Sequence, residues 1–416
     1  MTGPAPSPAG DGLAAAPRAY LDHAASSPLR PAAREAMLAA WERPGNPSSI
    51  HGHGQDARRL LEESREAIAA RLGCEPIELV LTSGGTESAN LAIVGGFRAR
   101  QADRPRPRIL ATLGEHHATI EPLEALASSE GAVIEWLPID GEGRLALDAL
   151  DAALADGGED VALMTMLLAS NEVGTVQPAR AVAARCREAG VPLHLDAVAA
   201  LGHLPVDVRE LGADLVSVSA HKLGGPVGAG ALVARRSASL EPILRGGGQQ
   251  RGLRPGTMDA AGAAGFAAAI AEACHPAALA AEAARLDALA ERLAAGLLDV
   301  PGVTLRGAPI GSRLLDEGVE TAGRAAGHVH VTVDGCPGES LLFLLDLAGV
   351  SASTGSACQA GVAEPSHVLL AMGLDEAAAR SALRLTLGWS STEAEVDAAL
   401  SAFPDAVARA RRAAGA

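Results

Sequence analysis

Ala213-Asp214-Leu215-Val216-Ser217-Val218-Ser219-Ala220-His221-Lys222-Leu223-Gly224-Gly225-Pro226 joins an apolar β-type run to a turn of small residues, and that turn carries the only lysine in the chain. Lys and Arg together number 34, and all but Lys222 are arginine. A surface charge or an ion pair is served by either residue. Amine chemistry is not, because guanidinium keeps its proton (pKa above about 12) and is no carbonyl nucleophile. Lys222 is therefore either one surviving surface charge or a residue retained for its amine. Its place just past a strand end, among the motifs described below, favours the second reading.

Working outward from that turn, β-type runs at 79–82, 108–112, 133–137, 161–166, 193–196, 214–217 and 229–234 alternate with helical stretches such as 88–94, 121–129 and 179–189. This alternation predicts an α/β fold with a mostly parallel, seven-stranded sheet covered on both faces. Ligands of such sheets gather at the carboxyl ends of the strands, where Asp196, Ser219 and Lys222 fall. Beyond residue 260 come Ala-rich helices (261–296), then runs at 328–333 and 381–387 around a helix at 338–347, which predict a smaller α+β domain. The expected division is a disordered leader at 1–18, a large domain at 19–275 whose first residues are free to pack with the smaller one, and a small C-terminal domain at 276–416.

The chain has 416 residues, enough for two domains. Hydrophobic residues make up 48% but aromatics only 2%, so the core must be built from Leu, Val and Ala. A net charge of −16 argues against direct binding of nucleic acid. No run approaches the ~18 apolar residues of a membrane span, and residues 1–17 lack the basic start and apolar stretch of a signal peptide. The five cysteines (Cys74, Cys186, Cys274, Cys336, Cys358) are scattered, odd in number and without zinc-type spacing. Free thiols in a reducing, cytoplasmic setting, and no bound metal, are the expectation.

Pyridoxal phosphate requires an amine for its aldehyde, an acid for its ring nitrogen, a phosphate cradle and a group on the ring face. Each has a candidate. Asp196 ends a β-type run and suits either the ring nitrogen or the cap of the next helix. Thr82-Ser83-Gly84-Gly85-Thr86-Glu87 leads from a strand into a helix, so Gly85 and Thr86 offer backbone N–H groups to a phosphate or form an ordinary cap. Ser219 and His221 flank the lysine and add phosphate donors. His116, in Glu115-His116-His117-Ala118, suits ring stacking and proton movement, or a structural role. Cys358 sits in a small, polar, Gly-containing segment (351–361), where a thiol is exposed and able to ionise; the other four cysteines read as structural. Arg384, on an apolar run, suits a substrate carboxylate or a structural ion pair. Asn46, in a polar turn, offers a second carboxylate contact.

Taken in order, these segments resemble the cysteine desulfurases of the Isc/Nif type, within the class V aminotransferase group. The resemblance runs from Tyr20 to about Ala402. It rests on Tyr20-Leu21-Asp22-His23-Ala24-Ala25, Gly45-Asn46-Pro47-Ser48-Ser49-Ile50-His51, Thr82 to Ala92, Glu115-His116-His117-Ala118, Asn171-Glu172-Val173-Gly174, Ser219-Ala220-His221-Lys222, Gly246 to Arg251, Gly256-Thr257, Ser353 to Cys358 and Pro365 to Leu369. The resemblance implies a fold type I homodimer with shared active sites, dependent on pyridoxal phosphate. In it Lys222 holds the cofactor, His116 stacks on the ring, Asp196 pairs with the ring nitrogen and Asn171 lies near the ring oxygen. Gly85, Thr86, Ser219 and His221 bind phosphate, joined by Thr257 of the partner subunit. Asn46 and Arg384 hold the carboxylate of L-cysteine. Cys358 takes the sulfur as a persulfide, alanine leaves, and the sulfur passes to acceptor proteins for iron–sulfur cluster assembly or tRNA thiolation, with Cys358 a candidate transient cluster ligand. Three departures stand out: Ala199 where the family has Gln against the ring oxygen, Ser170 where a second Asn is common, and Ala220 in place of Gly. Selenocysteine lyase, another class V aminotransferase and a weakly active sulfur-transfer scaffold are the rival readings.

Overall fold

The computed structural model describes residues 18–355 and 364–415. Seven strands form one sheet in the spatial order Leu79–Thr82, Gly230–Ala234, Leu215–Ser219, Leu193–Asp196, Val161–Leu167, Arg108–Thr112 and Val133–Leu137. Only Gly230–Ala234 runs against its neighbours; the other pairings are parallel. The expected runs are all present, with the lysine-bearing strand extended to Ser219.

These strands are buried on both faces because alternate residues feed different cores. Leu79, Leu81, Leu110, Val216 and Val218 join one cluster with Ile68, Val182, Phe266 and Ile270 from the helices on that side. Val80, Ile109, Ala111, Leu215 and Leu232 join another with Leu91, Phe97, Leu123 and Leu126. A fully buried leucine contributes about 2 kcal/mol of transfer free energy, so the period-2 pattern holds both helical layers against the sheet. The expected Ala-rich helices are Ala260–Ala273 and Pro276–Leu298, with Pro276 opening the second, as a residue lacking an N–H can.

A third core gathers Val329, Val331 and Val333 of the strand His328–Val333, Leu383 and Leu385 of Ala382–Thr386, and Leu286, Leu293 and Phe403 from the long helices Pro276–Leu298 and Glu393–Ala414. Ala19 and Leu21 belong to it too, through a short strand Ala19–Tyr20 paired with Val350–Ser351. Of the expected leader, residues 1–17 lie outside the described residues, and Arg18 pairs with Asp346. Among the described residues no single helix is long and apolar enough to cross a membrane.

The chain then leaves this core and crosses to the lysine turn. The Ser27 amide donates to the His221 carbonyl at 2.9 Å, and Ser27 Oγ donates to the Lys222 carbonyl at 2.9 Å. Arg30 Nε donates to the Leu223 carbonyl at 2.8 Å. Arg30 is itself braced by Glu272 at 2.6 Å and by the Trp389 ring 5.1 Å from its guanidinium carbon. The loop that carries the lysine is thus held by residues nearly 200 positions earlier.

Candidate active site

A cavity of about 340 Å³ opens at the carboxyl edge of the sheet, where the parallel strands end. Its wall includes Gly85, Thr86, Glu115, His116, Asn171, Asp196, Ala199, Ser219, His221 and Lys222 from the sheet side, and Ser353, Gly355, His367 and Arg384 from the other side. Nine of the residues singled out from sequence therefore meet in one place: Gly85, Thr86, His116, Asn171, Asp196, Ser219, His221, Lys222 and Arg384. Asn46 and Thr257 do not line this cavity. Asn46 is exposed, its Oδ1 accepting from the Ser48 amide, and Thr257 lines a second cavity beside Arg254 and Asp259. Cys358 lies outside the described residues.

Lys222 enters from a 3₁₀ turn, Ala220–Lys222, that follows the strand Leu215–Ser219. Its Nζ donates to the carbonyls of Ala24 and Ala25 at 2.5 and 3.0 Å. Among the described residues it has no ion pair. Burial, with the Arg384 charge adding to it, brings its amine down to about 8, although Asp196 and Asp22 pull the other way. Asp196 is buried, and its Oδ1 accepts from the Val198 amide at 2.9 Å. Burial raises it to about 6, opposed by that hydrogen bond and by Lys222. His194, two residues earlier on the strand, is fully buried between Thr165 Oγ1 and Ser217 Oγ, both at 2.8 Å.

His116 caps the helix His117–Glu130, its Nδ1 accepting from the Ala118 amide at 3.0 Å. That contact leaves the ring proton on Nε2. Burial, and then Lys222, lower it to about 4, so the imidazole is neutral at physiological pH. His221 is lowered to about 4 by the same two causes.

Arg384 makes the structural ion pair considered for it. Its Nη2 donates to Asp22 Oδ1 and its Nη1 to the Asn171 carbonyl, each at 2.9 Å. Nε is buried and has no hydrogen-bond partner among the described residues. The ion pair with Asp22 is structural, and the residue also lines the cavity. Asp22, Glu115, Glu172 and His367 were not singled out from sequence, although each lies in a quoted motif. Glu172 is buried and accepts from Ser366 Oγ at 2.6 Å; burial raises its pKa.

The wall fits pyridoxal phosphate. Ser219 Oγ is buried with no hydrogen-bond partner among the described residues, a donor awaiting an acceptor. Beside it the chain enters a helix at Gly84-Gly85-Thr86. Gly84 has φ +154, and a Cβ on Gly85 would lie 2.5 Å from Val198 Cγ2. Bare backbone at a helix start is what an anion requires. Ala199 brings no hydrogen-bonding side chain to the cavity.

The family model for aminotransferase class V matches residues 19–399. An IscS-like cysteine desulfurase of Mycobacterium tuberculosis is 48% identical over 398 residues, covering 95% of this chain and 98% of that protein. The chain belongs to the class V aminotransferase family, in its Isc/Nif-type cysteine desulfurase branch. A cysteine desulfurase IscS of Methanosarcina thermophila is 38% identical over 94% of this chain and 92% of its own length. Among solved structures, a NifS-like protein superposes with a TM-score of 0.84 at 31% identity, over 94% of this chain and all (100%) of that one. Another, described as SspA in complex with cysteine, has a TM-score of 0.71 at 29% identity, over 88% and 98% of the two chains. Enzymes of this family generally depend on pyridoxal phosphate.

Proposed function

We propose that this protein removes sulfur from L-cysteine with pyridoxal phosphate, leaving L-alanine and a persulfide on Cys358. The observation that carries the reading is a unique amine, lowered to about 8 and free of ion pairs among the described residues, in one cavity with Asp196 and Arg384. The cofactor, when bound, supplies an aldehyde for that amine and a ring that draws electrons from the substrate carbon.

This chain's residues divide the remaining work. Lys222 holds the cofactor and, once released, moves a proton at the substrate Cα as a base with a pKa near the working pH. Asp196 keeps the ring nitrogen protonated. His116 stacks as a neutral imidazole. Ser219 Oγ and the amides at Gly85 and Thr86 hold the phosphate, with His221 beside them. Arg384 holds the substrate carboxylate. Asn171 lies near the ring oxygen, where Ala199 provides nothing.

The thiols point to Cys358 by elimination. Burial raises Cys74 and Cys186 to about 12, Cys274 to about 11, and Cys336 above its ordinary value. A thiol so held is neutral at pH 7 and a poor nucleophile. Cys358 attacks the substrate sulfur; the S–S bond forms as the C–S bond breaks, and the electron pair returns to carbon.

Thr257, outside the cavity of one chain, serves a homodimer in which each subunit completes the other's site, and Asn46 is the second contact for the substrate carboxylate. The folding units are assigned as 19–275 and 276–416. Acceptor proteins for iron–sulfur assembly or tRNA thiolation, in the cytoplasm, are the destination of the sulfur. Purified protein given L-cysteine and a reductant should release sulfide and alanine in equal amounts. Cys358→Ser should abolish sulfide yet keep the yellow cofactor; sulfide production retained in that variant would overturn the role of Cys358.

A further inference from the structure

Glu115 is a buried acid of the cavity wall that this chemistry leaves unused. It lies between the strand Arg108–Thr112 and the capping residue His116, is 0% exposed, and lines the cavity. Its two oxygens are in different situations. Oε1 accepts from Thr112 Oγ1 and from the Leu167 amide, the latter at 3.1 Å. Oε2 is buried with no hydrogen-bond partner among the described residues. An ionised carboxylate with one bare oxygen in a dry wall is costly. A carboxylic acid avoids burying that charge, and its proton sits on the oxygen that accepts nothing.

The groups packed around it agree. Asp196, on the strand Leu193–Asp196, acts on it as a like charge. Thr112 and the Leu167 backbone supply neutral donors. His116 follows it in the chain and is held neutral, and His367 Nε2 meets the Glu115 carbonyl, not its carboxyl, at 2.8 Å. Among the described residues no cation pairs with Glu115. Burial, reinforced by Asp196 and opposed by the two hydrogen bonds, brings it up to about 8.

We propose that Glu115 is a neutral carboxylic acid in the cavity wall, a positioning residue that leaves it and Asp196 with one negative charge between them. The consequence for the cofactor rests on the reading that Asp196 faces the ring nitrogen: one ring cation then meets one balancing charge rather than two.

The test begins with apoprotein carrying ¹³C in its glutamate carboxyl groups. The Glu115 resonance should stay at the protonated position between about pH 5 and 7, where free glutamates have ionised, whether or not buried Glu172 joins it there. It should be missing from Glu115→Gln. In Asp196→Asn it should remain but titrate at lower pH, because the like charge that raises it is gone. A wild-type spectrum at about pH 7 with no protonated resonance that Glu115→Gln removes, or a Glu115 resonance indifferent to Asp196→Asn, overturns the proposal. With cofactor loaded, Glu115→Gln keeps a neutral donor and should keep the pH midpoint of the lysine-bound absorbance, whereas Glu115→Leu should move it by about one pH unit. A midpoint that moves equally in both variants also overturns it. If the resonance behaves as expected but borohydride leaves no pyridoxyl adduct on Lys222, the cofactor reading fails and the assignment of the Glu115 proton stands.

Discussion

Because Lys222 is the only lysine, its titration can be read chemically without interference from other side-chain amines. The perturbation is pH, applied to apoprotein exposed briefly to pyridoxal phosphate and then to borohydride, with the adduct counted by mass spectrometry on the peptide containing residue 222. An amine at the ordinary value of 10.5 is neutral in about one molecule in 300 at pH 8, whereas an amine at about 8 is neutral in half of them. Capture at pH 8 should therefore run about 150-fold faster than for an exposed lysine of equal access, and its rate should level off above pH 8 rather than above 10.5. Burial is the main cause, and the charges trim it. Arg384→Gln removes a cation that lowers the amine, so the midpoint should move up; Asp196→Asn removes an acid that raises it, so the midpoint should move down. A midpoint near 10 that ignores both substitutions would refute the claim that this amine is desolvated and held between those charges.

Other outcomes follow from the same geometry. Gly85→Ala puts a Cβ 2.5 Å from Val198 Cγ2; overpacking of about 1–3 kcal/mol should weaken cofactor retention by roughly 5- to 150-fold, read by equilibrium dialysis. Native Cys358→Ser protein should show almost no fast reaction with a thiol reagent, since the other four thiols are buried or raised; unfolding in urea should release all four. Glu172→Ala leaves the Ser366 hydroxyl without its acceptor and should cost about 1–3 kcal/mol in urea unfolding. Asp196 is an acid raised from 3.8 to about 6, so its protonated form is favoured by folding. Its contribution falls as pH climbs through that window, and apo Asp196→Asn should gain on wild type by up to about 3 kcal/mol between pH 4 and 6; a difference that is flat with pH would rule this out.

The site was legible wherever its chemistry is carried by residue type and local order. A lysine in an arginine-only sequence, an acid ending a β-type run, and glycines between a strand and a helix are all statements about neighbours in the chain. What escaped notice was carried by burial and by distant partners. Asp22 was an unremarked member of a motif until it met Arg384, 362 residues later. Glu115 and Glu172 lie beside the chosen His116 and Asn171, yet a glutamate in a turn reads as a solvated charge unless its surroundings are known.

The sequence by itself determined the layered α/β architecture, because period-2 apolar runs between helical stretches have few ways to bury both faces. It also determined which amine is available, because composition leaves one. Only the tertiary structure decided the charge states. Lys222 falls and Asp196 and Glu115 rise because packing removes water from each and brings the ends of separate strands together. It alone also decided that Arg384 pairs with Asp22 and that Asn46 and Thr257 stand outside the cavity. Desolvation and long-range pairing depend on distance in space, which the order of residues along a chain does not specify.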